Sequence, residues 1–295
     1  MSQTPAPATT SDVSQGRLAF AAVVVANVAL AFGPWFVRAA DTGPVAAAFW
    51  RISLAAPLLV GLAIASGWTP RQTPRGLWLT IAFGGVCFAA DLASWHLGIL
   101  RTTLANATLF GNSAVLFFPI YGFFAARALP SRLQTMALVL AAGGAALLLG
   151  QSYEAGAKHL VGDLLSLLAG ILYTVYFIAM ARARETMAPL PTLALSTLAS
   201  ALPLLVTALL LGERIMPGHW GPVIGLALAS QVLGQGLMIF AIGRLSPLVM
   251  GIALLIQPIV GATIGWSIYG EQLGLADLTG AVMVAVALVL VRRAR

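Results

Sequence analysis

Ala56-Pro57-Leu58-Leu59-Val60 returns in the second half of the chain as Leu202-Pro203-Leu204-Leu205-Val206, the same slide lays Arg38 on Arg184, and a slide shorter by three residues lays Arg101 on Arg244. Leu, Ala and Val dominate both halves, so the prolines and the charges carry the weight of this match. They point to a duplicated chain. Around them each half holds five apolar runs broken by charges and turn residues: 18–37, 45–66, 77–100, 103–125 and 133–149, then 161–180, 193–211, 220–243, 248–269 and 276–291. An odd number of crossings per copy turns the second copy over in the membrane. Such inverted pairs build alternating access.

Composition gives the same answer. Hydrophobic residues make up 60% of the 295, charged residues 8%, and the mean hydropathy is +0.94, whereas soluble domains carry about a quarter charged residues. A hydrocarbon core of about 30 Å takes roughly 20 helical residues, which leaves room for about ten crossings and little else. Barrel strands would need alternating segments of about ten residues, and the long unbroken runs exclude them. The expected fold is all-α: a polytopic membrane protein of ten transmembrane helices in two inverted five-helix repeats, 17–150 and 160–295, behind a disordered cytoplasmic tail at 1–16. With the N-terminus inside, eleven basic residues fall in cytoplasmic positions and four (Arg38, Arg101, Lys158, Arg214) outside, with Arg51 left within a helix. This bias places both termini in the cytoplasm of an inner (plasma) membrane. The net charge of +7 is thus topology; scattered over loops, it makes no stripe for nucleic acid. Cys87 is the single cysteine, so there is no intrachain disulfide and no cysteine metal site.

Two charges lie inside the apolar runs. Arg51 sits about 9 Å below the outer start of helix two, and Asp91 about 14 Å below the outer end of helix three, counting 1.5 Å per residue. A charge at mid-bilayer costs about 2.5–3.5 kcal/mol on insertion scales, so these two should be partnered. Either they staple two helices together, or Asp91 meets a substrate ammonium or a proton while Arg51 meets a carboxylate. Cys87, Asp91, Trp95 and Gly98 share a stripe, which brings Trp95 beside the acid; His96 lies on another face and reads as interfacial. Asn112, Gln231, Gln235 and Gln257 add amides that lipid cannot satisfy, either as helix glue or as the lining of a watered cavity. Tyr173 and Tyr176 add an aromatic wall below Ser166 and Gly170, and Asn27 aligns with Tyr173 in the repeat. Pro119 and Pro258 are expected as kinks and hinges, and Gly261 with Gly265 as a face for close helix approach.

Glu271-Gln272-Leu273-Gly274, thirteen residues after Pro258 and followed by a glycine-bearing last helix, resembles the repeat ending of the EamA family in the drug/metabolite transporter superfamily. The first copy, Asn106-Ala107-Thr108-Leu109-Phe110-Gly111-Asn112 through Leu129-Pro130-Ser131, is similar but departs twice: Ala114 replaces the repeat proline and Arg127 the glutamate. The resemblance covers about residues 18–292. It implies a permease that exports small metabolites, commonly amino acids or related solutes; amino acids are the preferred cargo because Arg51 and Asp91 offer opposite charges to a zwitterion and the aromatic residues offer a wall. Other solutes (a nucleoside, sugar derivative or drug) are the first alternative, and an intramembrane enzyme or scaffold the second. No Walker loop, GxSxG or HExxH motif occurs, so neither ATP nor hydrolysis is expected. No cofactor or metal is expected; the partners are a small-molecule substrate and the lipid bilayer, and the protein is a monomer or homodimer.

Overall fold

The structure, a computed structural model, describes residues 10–102, 107, 110–150, 159–269 and 274–293, and among these there are helices and turns but no strand. In chain order the helices are α1 (Thr10–Ala31), α2 (Gly33–Ala39), α3 (Pro44–Ala65), α4 (Arg75–Ile99), α5 (Ala114–Ala126), α6 (Arg132–Gly150), α7 (Leu160–Arg184) and α8 (Pro189–Leu210). Then come α9 (Trp220–Leu226), a π-helical stretch (Ala227–Gln235), α10 (Gly236–Ile242), α11 (Pro247–Ala253), α12 (Ile256–Tyr269) and α13 (Leu275–Arg293). Seven stretches among the described residues are long and apolar enough to cross a membrane: Ser14–Ala39, Pro44–Ala65, Arg75–Ile99, Leu160–Arg184, Pro189–Leu210, Trp220–Ile242 and Pro247–Ile264. Ala114–Ala126, Arg132–Leu147 and Leu275–Val291 are shorter apolar helices. Helix α1 already begins at Thr10, inside the segment expected as a tail; residues 1–9 lie outside the described residues.

Helices α3 and α8 show how the sequence sets its own boundaries. Each is 22 residues long and opens on proline, Pro44 or Pro189, whose fixed φ suits the first helical position and whose missing N–H is not needed there. Each closes on a glycine in the left-handed region, Gly67 at φ 87° and Gly212 at φ 66°, where a side chain would be strained. The closing hydrogen bonds also correspond. Ser66 N–H donates to Leu62 and Trp68 N–H to Ala63, as Leu211 does to Thr207 and Glu213 to Ala208. Helix lengths recur elsewhere too, with 19 residues in both α6 and α13.

Small residues let the helices approach. Helix α4 packs on α7 and α8, α3 on α8, α6 on α13, α5 on α11, and α1 on the π-stretch, α10 and α12. At Gly84 an added Cβ would lie 2.9 Å from Ala179, and at Gly144 2.8 Å from the Gly280 carbonyl oxygen. Lipid tails offer no hydrophobic force between helices, so this close packing is what holds them. Gly261 is different: nothing lies within 4 Å of its Cβ position. The close approach expected at the Gly261–Gly265 face is therefore not made at Gly261, which points outward.

Two acids tie the halves together at one end of the bundle. The Glu213 carboxylate, just past the end of α8, accepts from Val45 N–H (3.3 Å) and Ala46 N–H (2.8 Å) at the start of α3, so the two helices run antiparallel. The Asp41 carboxylate accepts from Gly218 N–H (2.9 Å) and His219 N–H (3.3 Å) ahead of α9, with the Arg214 guanidinium at 3.9 Å. An acid at a helix N-terminus satisfies orphan donors and meets the positive end of the helix dipole. Trp50 Nε1–H donates to the Ile215 carbonyl (2.7 Å) and Thr102 Oγ1–H to Asp163 (2.6 Å) at the same end.

Desolvation pushes the Asp41 carboxyl upward, but the His219 and Gly218 N–H groups, its own N–H and Arg214 outweigh it and hold the group below the usual aspartate range. Its contribution to stability is therefore present above the unfolded value of about 4 and lost as pH falls through the folded one. Below about pH 4 the melting temperature of the wild type is expected to fall more steeply than that of Asp41→Asn. Parallel pH profiles for the two proteins would refute the assignment.

Candidate substrate site

Arg51 projects from α3 into the interior and is 6% exposed, while Asp91 on α4 is 8% exposed. They do not form the pair that their depths allowed. Among the described residues the only ion pairs within 4.0 Å belong to Asp41. Arg51 Nε–H instead donates to Gln231 Oε1 (3.1 Å), and Gln231 Nε2–H donates to Thr197 Oγ1 (3.0 Å) on α8. The Arg51 guanidinium also sits 5.6 Å from the centre of the Phe88 ring, a cation–π contact that helps a buried cation. Asp91 makes no hydrogen bond to any described residue, yet its oxygens are not among the sealed, unpartnered atoms. It therefore keeps an open approach while lying in the field of Arg51.

Gln231 reaches Arg51 because of the π-stretch. Over Ala227–Gln235 the backbone takes i→i+5 hydrogen bonds, a geometry that is rare and found mostly at functional sites. It carries Gln231 and Gln235 inward, 0% and 2% exposed. Gln235 Nε2–H donates to the Tyr173 hydroxyl (2.9 Å) on α7, and Gln235 Oε1 is left sealed without a donor. Tyr176 faces Ser196 without a well-formed hydrogen bond to its hydroxyl. Phe88, Tyr173, Tyr176 and Phe177 pack against one another, with Phe88 and Tyr176 stacked at 4.5 Å between ring centres and Tyr173 and Phe177 tilted at 45° with centres 4.2 Å apart. One wall of the site is thus aromatic and holds unused acceptors.

The remaining candidates divide. Asn27 and Gln257 meet each other: Gln257 Nε2–H donates to Asn27 Oδ1 (2.8 Å), and Asn27 Nδ2–H to the Val23 carbonyl (2.8 Å). No hydrogen bond among the described residues joins them to the Arg51 group, and their own bond links α1 to α12. Trp95 is half-buried, with its indole against the Gly111 backbone, one helical turn beyond Asp91. Asn112 is half-buried in the turn before α5. Pro258 lies just after the break between α11 and α12 at Leu254–Leu255, while Pro119 leaves α5 continuous and packs on Gly251. Ser166 and Gly170 meet Gly98 and Ser113, which makes them packing surfaces for α7.

His96 lies near the end of α4 at the level where α3 begins, is 1% exposed, and its Nδ1 lies 2.6 Å from the Pro44 carbonyl oxygen, joining α4 to the first turn of α3. Its height was readable from the chain, but the neighbour that covers it was not. Phe88 and Thr197 were overlooked as members of the site. Thr197 carried no signal of its own, because its helix also holds Thr192, Ser196, Ser200 and Thr207.

By sequence no curated protein matches the chain. A solved structure described as a crystal structure of a protein superposes with a TM-score of 0.77 over 95% of this chain and 98% of its own, at 14% identity. That likeness concerns the fold alone. Residues 160–293 match the sequence model of the EamA-like transporter family. The resemblance read from Glu271-Gln272-Leu273-Gly274 is thus borne out over the second half of the chain, and the family to which it points is the EamA-like transporters of the drug/metabolite transporter superfamily.

Proposed function

We propose that the chain is a ten-span secondary transporter of two inverted five-helix repeats that exports amino acids across the inner membrane by alternating access. The reading rests on one observation. Arg51 and Asp91 are both buried at mid-span and yet do not pair. A helix staple would bring them into contact, because an uncompensated buried charge is costly. An amino acid would supply what each lacks, its carboxylate meeting the Arg51 Nη groups and its ammonium meeting Asp91. The aromatic wall of Phe88, Tyr173 and Tyr176 would face the rest of the molecule.

The repeat reading is supported by the pairing of the helices, which is unchanged when the halves are exchanged. Helix α3 lies against α8, α5 against α11, and α6 against α13, while the contact of α4 with α7 has its counterpart in that of α1 with the π-stretch and α10. Arg101 Nη1–H donates to the Leu97 carbonyl and Arg244 Nη1–H to the Phe240 carbonyl, both at 3.3 Å, so two arginines aligned by sequence make one local bond in both copies. Outside the helix interiors, the acids Asp41, Glu213 and Asp163 tie the halves at one end of the bundle. Charge bias puts that end outside, so substrate would enter from the cytoplasm, as an exporter requires.

Purified protein in lipid vesicles is expected to carry radiolabelled amino acids without ATP. A folded protein that moves no amino acid while moving a nucleoside, sugar derivative or drug would replace the cargo. One that moves no solute at all would remove the reading.

A further inference from the structure

The end of the bundle opposite Asp41 and Glu213 carries two cations that the transport reading does not use. Arg184 closes the span Leu160–Arg184, and Arg244 follows the span Trp220–Ile242 by two residues, so both stand at the height of the lipid headgroups. Arg184 Nε–H donates to the Ile239 carbonyl (3.1 Å) and its Nη1–H to Met187. Arg244 Nη1–H donates to Phe240 (3.3 Å), with its guanidinium 4.1 Å from the centre of the Phe240 ring. The two charges act on each other. Gly243 allows this arrangement: a Cβ there would stand 2.9–3.1 Å from the Arg184 side chain, so glycine lets the guanidinium lie on the backbone next to Arg244.

Helix C-termini attract single cations, which accounts for either arginine alone. It does not account for bringing two together with no carboxylate within 4.0 Å among the described residues; Glu185, the neighbouring acid, pairs with neither. Both keep N–H groups unused by the backbone, Nη2 of Arg184 and Nε and Nη2 of Arg244. Two guanidinium groups held over the adjacent Ile239 and Phe240 carbonyls suit a phosphate, which accepts several charge-assisted hydrogen bonds at once. We infer that Arg184 and Arg244 form a site for the phosphate of an anionic phospholipid headgroup, anchoring the α7 and α10 ends to the membrane surface. The inference is independent of the cargo.

The test is native mass spectrometry of detergent-purified protein titrated with phosphatidylglycerol or with phosphatidylcholine. Wild type is expected to retain phosphatidylglycerol in preference. At about 1 kcal/mol per arginine, Arg244→Gln should weaken that retention about fivefold, and Arg184→Gln with Arg244→Gln about thirtyfold. Gly243→Ala, which displaces the Arg184 side chain, should fall between wild type and the double variant, while Arg182→Gln, an exposed cation at the same end, should leave retention unchanged. Unchanged retention in the double variant overturns the site. Should the double variant fail to fold, Arg244→Gln decides, since its side chain is exposed and ties only its own turn. Displacement of phosphatidylglycerol by millimolar inorganic phosphate would make this a site for a free anion and overturn the lipid assignment.

Discussion

Asp91→Asn is expected to reduce amino-acid flux in vesicles by about thirtyfold or more while leaving the protein at least as stable as wild type. The two effects have opposite signs for one reason. Asp91 is 8% exposed and holds no hydrogen bond with any described residue, so folding buries a carboxyl group to which no neighbour donates. Replacing it with a neutral amide relieves that cost, and melting temperature should hold or rise. In the loaded protein the same carboxylate would face the substrate ammonium, and removing one member of a buried charge pair costs about 2–5 kcal/mol, which sets the loss of flux. A staple makes the contrary prediction, with normal flux and a lower melting temperature, so flux and thermal unfolding measured on one preparation separate the two. Normal transport by a folded Asp91→Asn protein would end the claim that this residue binds cargo.

Much of the helical frame was legible because the chain punctuates itself. The apolar runs read at 45–66 and 193–211 meet helices Pro44–Ala65 and Pro189–Leu210, so the first agrees within a residue while the second starts four residues earlier, at the proline that opens it. The depth of Arg51 and Asp91 followed from counting residues. Azimuth did not. Counting gives the height of a side chain along a helix but not the neighbour it faces, so the partner of Arg51 turned out to be Gln231, 180 positions away, and not the acid at matching depth. The π-stretch was equally silent, since nothing in Ala227–Gln235 distinguishes i→i+5 from i→i+4 bonding by composition. Asp41 and Glu213 were legible only as loop acids, because their roles as caps depend on helix starts contributed by the other half of the chain. The same limit explains His96, whose cover is the first turn of α3.

Gly85→Ala is expected to destabilise the protein by about 1–3 kcal/mol through overpacking and to lower flux with it. The reason lies at the contact of α4 with α8. A Cβ on residue 85 would stand 2.6 Å from the Ser196 carbonyl oxygen and 2.6 Å from the Ala199 methyl. A helix carbonyl cannot swing aside as a side-chain tip can, so the helices themselves must part. Ser200 Oγ–H spans the same seam, donating to the Gly85 carbonyl at 2.7 Å and sharing the Ser196 carbonyl at 2.8 Å, and this bridge would stretch too. The displacement then travels into the site by contact: α8 carries Thr197, which holds Gln231, which holds Arg51, while α4 carries Asp91. Gly61→Ala is the control. Nothing lies within 4 Å of its Cβ position on α3, so the added methyl should stabilise the helix by about 0.5–1 kcal/mol and leave flux alone. Thermal unfolding of both variants in the same detergent reads the difference, and a Gly85→Ala protein that melts with wild type would mean that α4 and α8 are not packed this closely.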